Sequence, residues 1–270
     1  GAWAPLLRHA GVSVESGQGR AQLWLRLQRR RVQRITVDAA FEDVALRGTP
    51  VDAGLEPPRL RIDKLDARAR WQATDEGWRL DAPRLRLARD DAEQVLDGLA
   101  VAGGSRFALQ AERIDAGPLL SVLAMGDLLE PGLRGWLLAA APDVQIHGLA
   151  LAREADGRVR AHARLEALHM ASVGDTPGLA GLAGDLSGDA EGFRFEPDPQ
   201  AQVRFDWPSG FGAPHPVTLR GEVVGWREGA GLRVGTPALR VEGEGYAASV
   251  RGAIWFQNDG SRPALDLAAT

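Results

Sequence analysis

Apolar and polar residues alternate along most of the chain. In QLWLRLQ (22–28), Leu23, Leu25 and Leu27 fall on one face. In RITVDAAFEDVAL (34–46), Ile35 and Val37 share a face, and the phase changes between Phe41 and the pair Val44 and Leu46. PRLRID (58–63) sets Leu60 and Ile62 against Arg59, Arg61 and Asp63. Successive side chains of a strand point to opposite faces, so this period predicts strands with one apolar and one solvated face. The same pattern predicts strands over 77–89, 105–114, 143–153, 158–170, 193–206, 216–227, 232–242 and 246–257. Turn formers separate them: TPVDAG, ATDEG, AVAGG, READG, EPDP, REGAG and QNDGSRP. The expected fold is all-β, a large antiparallel sheet made of hairpins.

One repeat is visible. WQATDEGWRLDAPRLRL starts at Trp71 and WREGAGLRVGTPALRV at Trp226, aligning Gly77 with Gly231, Arg79 with Arg233, Pro83 with Pro237 and Leu85 with Leu239. GFRFEPDPQAQVRFDW, from Gly192, is a looser third copy. The apolar phase flips across the proline: Trp78 and Leu80 are even, Leu85 and Leu87 odd. Proline cannot donate to a ladder, so Pro83 and Pro237 are expected at bulges or strand breaks. Only GPLLSVLAMGDLLEPGLRGWLLAAA (117–141) breaks the strand pattern. Leu119, Leu120, Leu123, Leu128 and Leu129 recur at near-helical spacing, with Pro118 in a first turn. Pro131 opens a second short helix and Pro142 ends the insert.

Length and composition fit this picture. The 270 residues suffice for a sizeable core, and 44% apolar with 25% charged residues is ordinary globular usage. A net charge of -4 disfavours a nucleic-acid partner. Cysteine is absent, which removes thiol catalysis, disulfides and thiolate metal sites. The apolar run in the insert is interrupted by Asp127, Glu130, Pro131 and Arg134, too often to span a bilayer. The chain opens on GAWAPLL and stops at LDLAAT without a terminal element, as expected of one continuous segment (1–270) of a longer, repeated protein.

No reactive constellation emerges. The five histidines are scattered, and His162 and His169, seven apart in one strand, are expected on opposite faces. DLSGDAEG (185–192) lacks calcium-loop spacing and reads as a hairpin turn. Adjacent acids such as Glu42/Asp43 and Asp90/Asp91 point apart in a strand. No catalytic residue, metal or cofactor is therefore expected. RLQRRRVQR (26–34) is the one basic cluster, either a solvated hairpin end or a phosphate contact.

A family likeness rests on particular stretches. These are APLLRHAGV (4–12), IDAGPLLSVLAMGDLLEPGLRGWLLAAAPDVQIHGLAL, PGLAGLAGDLSGDAEGFRF, FDWPSGFGAP, the Trp226 repeat with its following strand, and DLAAT. Together they resemble the central region of the bacterial YhdP family, relatives of AsmA and TamB. One departure is Pro142-Asp143-Val144, where the family commonly has a proline, a basic residue and glycine. The resemblance implies a parent anchored in the inner membrane and extending through the periplasm. It also implies an extended, curved sheet forming an apolar groove that carries phospholipid towards the outer membrane, without enzymatic activity. On this reading Leu85, Leu87, Val203, Phe205, Leu239 and Val241 line one inner face and meet phospholipid acyl chains. Arg84, Arg86, Arg204 and Arg240 point outward. Leu123 and Leu129 act as a gate, the leucine stripe lying over the apolar face or its opening. The alternative is a β-sandwich or solenoid scaffold in the cell envelope, since alternation alone does not say what covers the apolar face.

Overall fold

The computed structural model describes residues 11–90, 92–257 and 264–270. Most of APLLRHAGV, together with His9, Asp91 and most of the QNDGSRP turn, lies outside them. The protein is all-β, with 69% strand and 9% helix. Its contacts fall into two compact units, Gly1–Gln145 and Ile146–Thr270.

The first unit is an antiparallel meander. Strands β1 (Ser13–Gln28), β2 (Arg31–Arg47), β3 (Arg59–Thr74), β4 (Gly77–Arg89), β5 (Ala92–Gly104) and β6 (Phe107–Asp115) pair in chain order. Two helices follow, α1 (Gly117–Met125) and α2 (Pro131–Ala140), each with proline in its first turn as expected. Strand β7 (Asp143–Arg153) begins at the end of this unit.

Directly opposed residues share a face. Ala39, Ala67, Leu85, Leu96 and Ile114 therefore form one apolar row across β2 to β6. Strand β5 departs from the expectation, which read AVAGG as a turn. Gly98, with φ of +65°, switches the phase between Leu96 and Leu99 and hides the alternation. Pro83 does sit at a bulge: Arg68 pairs with Arg84 but Arg70 with Asp81.

One end of this face is covered. Val12, Val44, Leu46, Leu60, Ile62 and Leu87 pack with Met125 of α1, and Val122 joins from the same helix. The helices are held by Arg134 of α2, which is only 4% exposed. Its guanidinium donates to the carbonyls of Thr49 (2.5 Å), Ala124 (3.1 Å), Pro50 (3.4 Å) and Met125 (3.4 Å). Carbonyls at a helix C-terminus lack intrahelical partners, so a buried cation there satisfies them. The Thr49 amide donates to Met125 as well, at 2.9 Å.

The second unit contains β8 (Val159–Met170), β9 (Gly178–Asp189), β10 (Gly192–Pro197), β11 (Val203–Asp206), β12 (His215–Gly221), β13 (Val223–Glu228), β14 (Gly231–Gly243), β15 (Tyr246–Phe256) and β16 (Ala264–Ala269). A four-residue helix, α3 (Pro208–Phe211), joins β11 to β12. Strands β10 and β11 lie end to end along β9, and β13 and β12 end to end along β14. The expected single runs at 193–206 and 216–227 are thus each two short strands. Pro237 again marks a register shift, between Thr236 and Leu239 on β14. Strand β16 was not expected at all.

Strand β9 takes up the first five residues of DLSGDAEG, so that the expected hairpin turn is confined to Ala190 and Glu191. Rings cover glycines of β9 and of β13, its neighbour across β10. A Cβ on Gly225 would meet Phe193 at 2.1 Å, and one on Gly184 would meet the Phe195 ring at 2.7 Å. Phe193 is directly opposite both Gly188 and Gly225. In the first unit Trp78 lies on Gly103, and in the second Tyr246 lies on Gly243. A ring that fills the space of a missing side chain keeps a glycine-rich strand packed. His162 and His169 also depart from the expectation of opposite faces: Ala167, with φ of +52°, adds a residue between them and returns both to one face.

Candidate functional site

The second unit holds an apolar cavity of about 520 Å³. Val203 and Phe205 come from β11, Leu239 and Val241 from β14. Four of the six expected face residues thus meet in one space. Register explains it: Val203 opposes Val217, Phe205 opposes His215, and Leu219 opposes Val241. Leu179 and Leu182 of β9 close one side, and Tyr246 lines the cavity from β15. Val203 and Val217 are buried at its floor. Arg204 and Arg240, one residue along, are exposed, as alternation requires.

Phe211 of α3 stands at the cavity's edge and is 60% exposed. Its ring lies 6.1 Å from Phe205, 5.5 Å from Trp207 and 5.6 Å from His215, edge-on to the last two. Trp207 donates its indole N–H to the Asp175 carbonyl. Leu179, Leu182, Phe211, His215, Val217, Leu219 and Tyr246 were not among the expected site residues. Within FDWPSGFGAP, Trp207 and Phe211 on either side of Gly210 were the available signal.

Leu85 and Leu87 belong to the first unit. Leu85 is half-buried within its row, and Leu87 is buried beneath Met125 and Val122. Arg84 and Arg86 are exposed. The leucine stripe of the insert does not face the sheet. Leu123 is 36% exposed and Leu129 half-buried, and the residues meeting the core are Val122 and Met125. Away from the helices the first unit's apolar face is open. Leu25, Ile35, Trp71, Leu80, Val101 and Leu109 form a row across β1 to β6, with Leu25 still 55% exposed.

The opposite faces are ionic. In the first unit Arg68 pairs with Asp38, Arg84 with Asp97 and Arg86 with Glu93. In the second, Arg164 bridges Asp185 and Asp198, and Arg194 reaches Glu222. The Gln200 amide and then the Arg164 guanidinium hold the Asp198 carboxyl below its ordinary range. Exposed pairs of this kind add little stability. They keep one face wet while the other stays apolar.

These features define an all-β protein whose sheets present apolar faces, partly roofed and partly open, against charged backs. The family described as YhdP protein matches residues 2–270, and the chain belongs to that family. It is a family of bacterial envelope proteins and not a known enzyme family. No curated protein and no solved structure matches the chain. Among the described residues, no helix is long and apolar enough to cross a membrane.

Proposed function

We propose that the chain is a non-enzymatic segment of a periplasmic protein, anchored elsewhere in the inner membrane, that carries phospholipid towards the outer membrane. The apolar faces receive acyl chains, and the charged backs face water. The cavity of Val203, Phe205, Leu239 and Val241 carries the reading. It is lined by hydrocarbon and aromatic side chains, and among the described residues His215 and the Tyr246 hydroxyl are its only polar side-chain groups. Its volume of about 520 Å³ is that of an ordinary small-molecule site, and its contents need no placed polar group. Burial of an acyl chain there yields the same ~25 cal/mol per Å² as burial against protein. Leu85 belongs to an acyl-chain face in the first unit, while Leu87 and the insert with Leu123 and Leu129 bound that face at its covered end.

A photo-crosslinking residue in place of Phe205 or Val241 is expected to capture phospholipid in cells. The same residue at Arg204 or Arg240 is expected to capture none. Equal capture from both faces, or capture of protein alone, would favour a scaffold over a conduit.

A further inference from the structure

The basic cluster of the β1–β2 hairpin is not absorbed by an apolar conduit. Five arginines fall between residues 26 and 34: Arg26, Arg29, Arg30, Arg31 and Arg34. Arg26 and Arg34 are directly opposed, a like-charge pair, and Gln28 opposes Arg31. Among the described residues none of the five makes an ion pair or a side-chain hydrogen bond, in a unit where most other arginines find a carboxylate. The neighbouring β3–β4 turn carries Asp75 and Glu76, and neither pairs with them.

The turn itself is unusual. Arg29 and Arg30 have φ of +49° and +64°, the left-handed pair of a two-residue hairpin turn. Asn-Gly is the sequence that suits such a turn, because most side chains clash at positive φ. Arginine at both positions is locally unfavourable. Just behind the turn the opposite chemistry is exposed. Leu23, Leu25 and Leu27 share a face and are 60%, 55% and 63% exposed, and Val32 opposes Leu27. The leucines extend roughly 14 Å at ~3.4 Å per residue.

We propose that this hairpin end binds the phosphate of an anionic phospholipid whose acyl chain lies along Leu23, Leu25 and Leu27. This rests on the reading that the apolar faces receive acyl chains, and adds headgroup selection to it. The guanidinium fork suits two phosphate oxygens at once and remains charged at any physiological pH. The unpaired arginines are complementary to that charge, and the leucines to the tail.

The test uses native mass spectrometry of the 270-residue chain. It is titrated with phosphatidylglycerol, and with a diacylglycerol of identical tails but no phosphate. The variant is Arg29→Asn, Arg30→Gly and Arg31→Gln. Asn-Gly improves the turn, so the variant is expected to melt at or above the wild-type temperature. Wild type should bind phosphatidylglycerol about ten-fold more tightly than diacylglycerol. In the variant the two affinities should converge, with that for diacylglycerol unchanged. Millimolar inorganic phosphate should not displace the lipid. Equal wild-type affinities, a preference that survives in the variant, or displacement by free phosphate would each overturn the headgroup assignment. The apolar-face reading would survive these. Failure of both lipids to bind would overturn the apolar-face reading and this inference with it.

Discussion

Replacing Arg134 with leucine tests how the helical insert is held. The buried guanidinium donates to four carbonyls, of which Thr49 and Ala124 are close enough to count fully. A hydrogen bond to a charged group contributes about 1.5–3 kcal/mol, so the two together contribute about 3–6 kcal/mol. Burial of the new leucine offsets about 1–2 kcal/mol. The net loss is roughly 2–4 kcal/mol, a fall in melting temperature of about 6–12 °C at ~3 °C per kcal/mol for a unit of this size. Circular dichroism gives the melt. Hydrogen exchange at the Thr49 amide, which donates to Met125, reports whether the helix end has come away. Loss of α1 would uncover Leu46, Leu60, Ile62 and Leu87, so binding of a hydrophobic dye should rise. Arg134→Lys, which keeps the charge but not the fork, should fall between the two. A melting temperature lowered by less than about 2 °C with unchanged Thr49 exchange would refute the reasoning.

Gly225→Ala should destabilise the second unit by about 1–3 kcal/mol, because the new methyl collides with the Phe193 ring; adding Phe193→Leu should recover part of that in a denaturant titration. Phe211→Ala should speed lipid exchange measured by fluorescent phospholipid release, while moving the melting temperature little, because Phe211 is largely exposed at the cavity's edge. The Asp198 carboxyl should titrate below an ordinary aspartate in a carbon-detected NMR experiment, and Arg164→Gln should raise its midpoint only in part, the Gln200 amide being the larger cause. Its folded-state value lies below the unfolded one. The contribution is therefore present above the ordinary aspartate range and is lost as pH falls through the depressed value. A midpoint unmoved by Arg164→Gln would remove the ion pair from that account.

What could be read from the sequence was whatever alternation and proline report locally. Leu60 and Ile62, the two helix-opening prolines and the bulges at Pro83 and Pro237 were all legible because each signal lies within a few residues. Strands β5 and β9 were not. Their phase is broken by Gly98 and Gly181, and at Gly184 the bulk missing from β9 is supplied by a ring on another strand, Phe195. Leu239 and Val241 could be matched to Val203 and Phe205 because the hairpins repeat. Leu179, Phe211 and Tyr246 could not, because their meeting depends on which strands adjoin. Arg134 looked like an interruption of an apolar run. Its role comes from carbonyls more than eighty positions earlier in the chain, at Thr49 and Pro50.

The bulge at Pro83 belongs to a defect that crosses three strands. Pro83 stands opposite Gly98, flanked by the pairs Ala82–Leu99 and Arg84–Asp97, and Gly98 lies against Glu112. All three are surplus to the alternation of their strands, so they make up an extra row through β4, β5 and β6. On β3 the row has no counterpart, and it stops at Ala69, between the Arg68 and Arg70 pairings. An extra half-row ending inside a lattice is an edge dislocation. The strands on one side must spread to admit it, so the sheet fans and bends about a line instead of twisting evenly. Such a defect cannot be removed by changing one strand alone. Deleting Pro83 by itself would slip half of β4 against β5, whereas deleting Pro83, Gly98 and Glu112 together would heal the lattice and flatten the sheet.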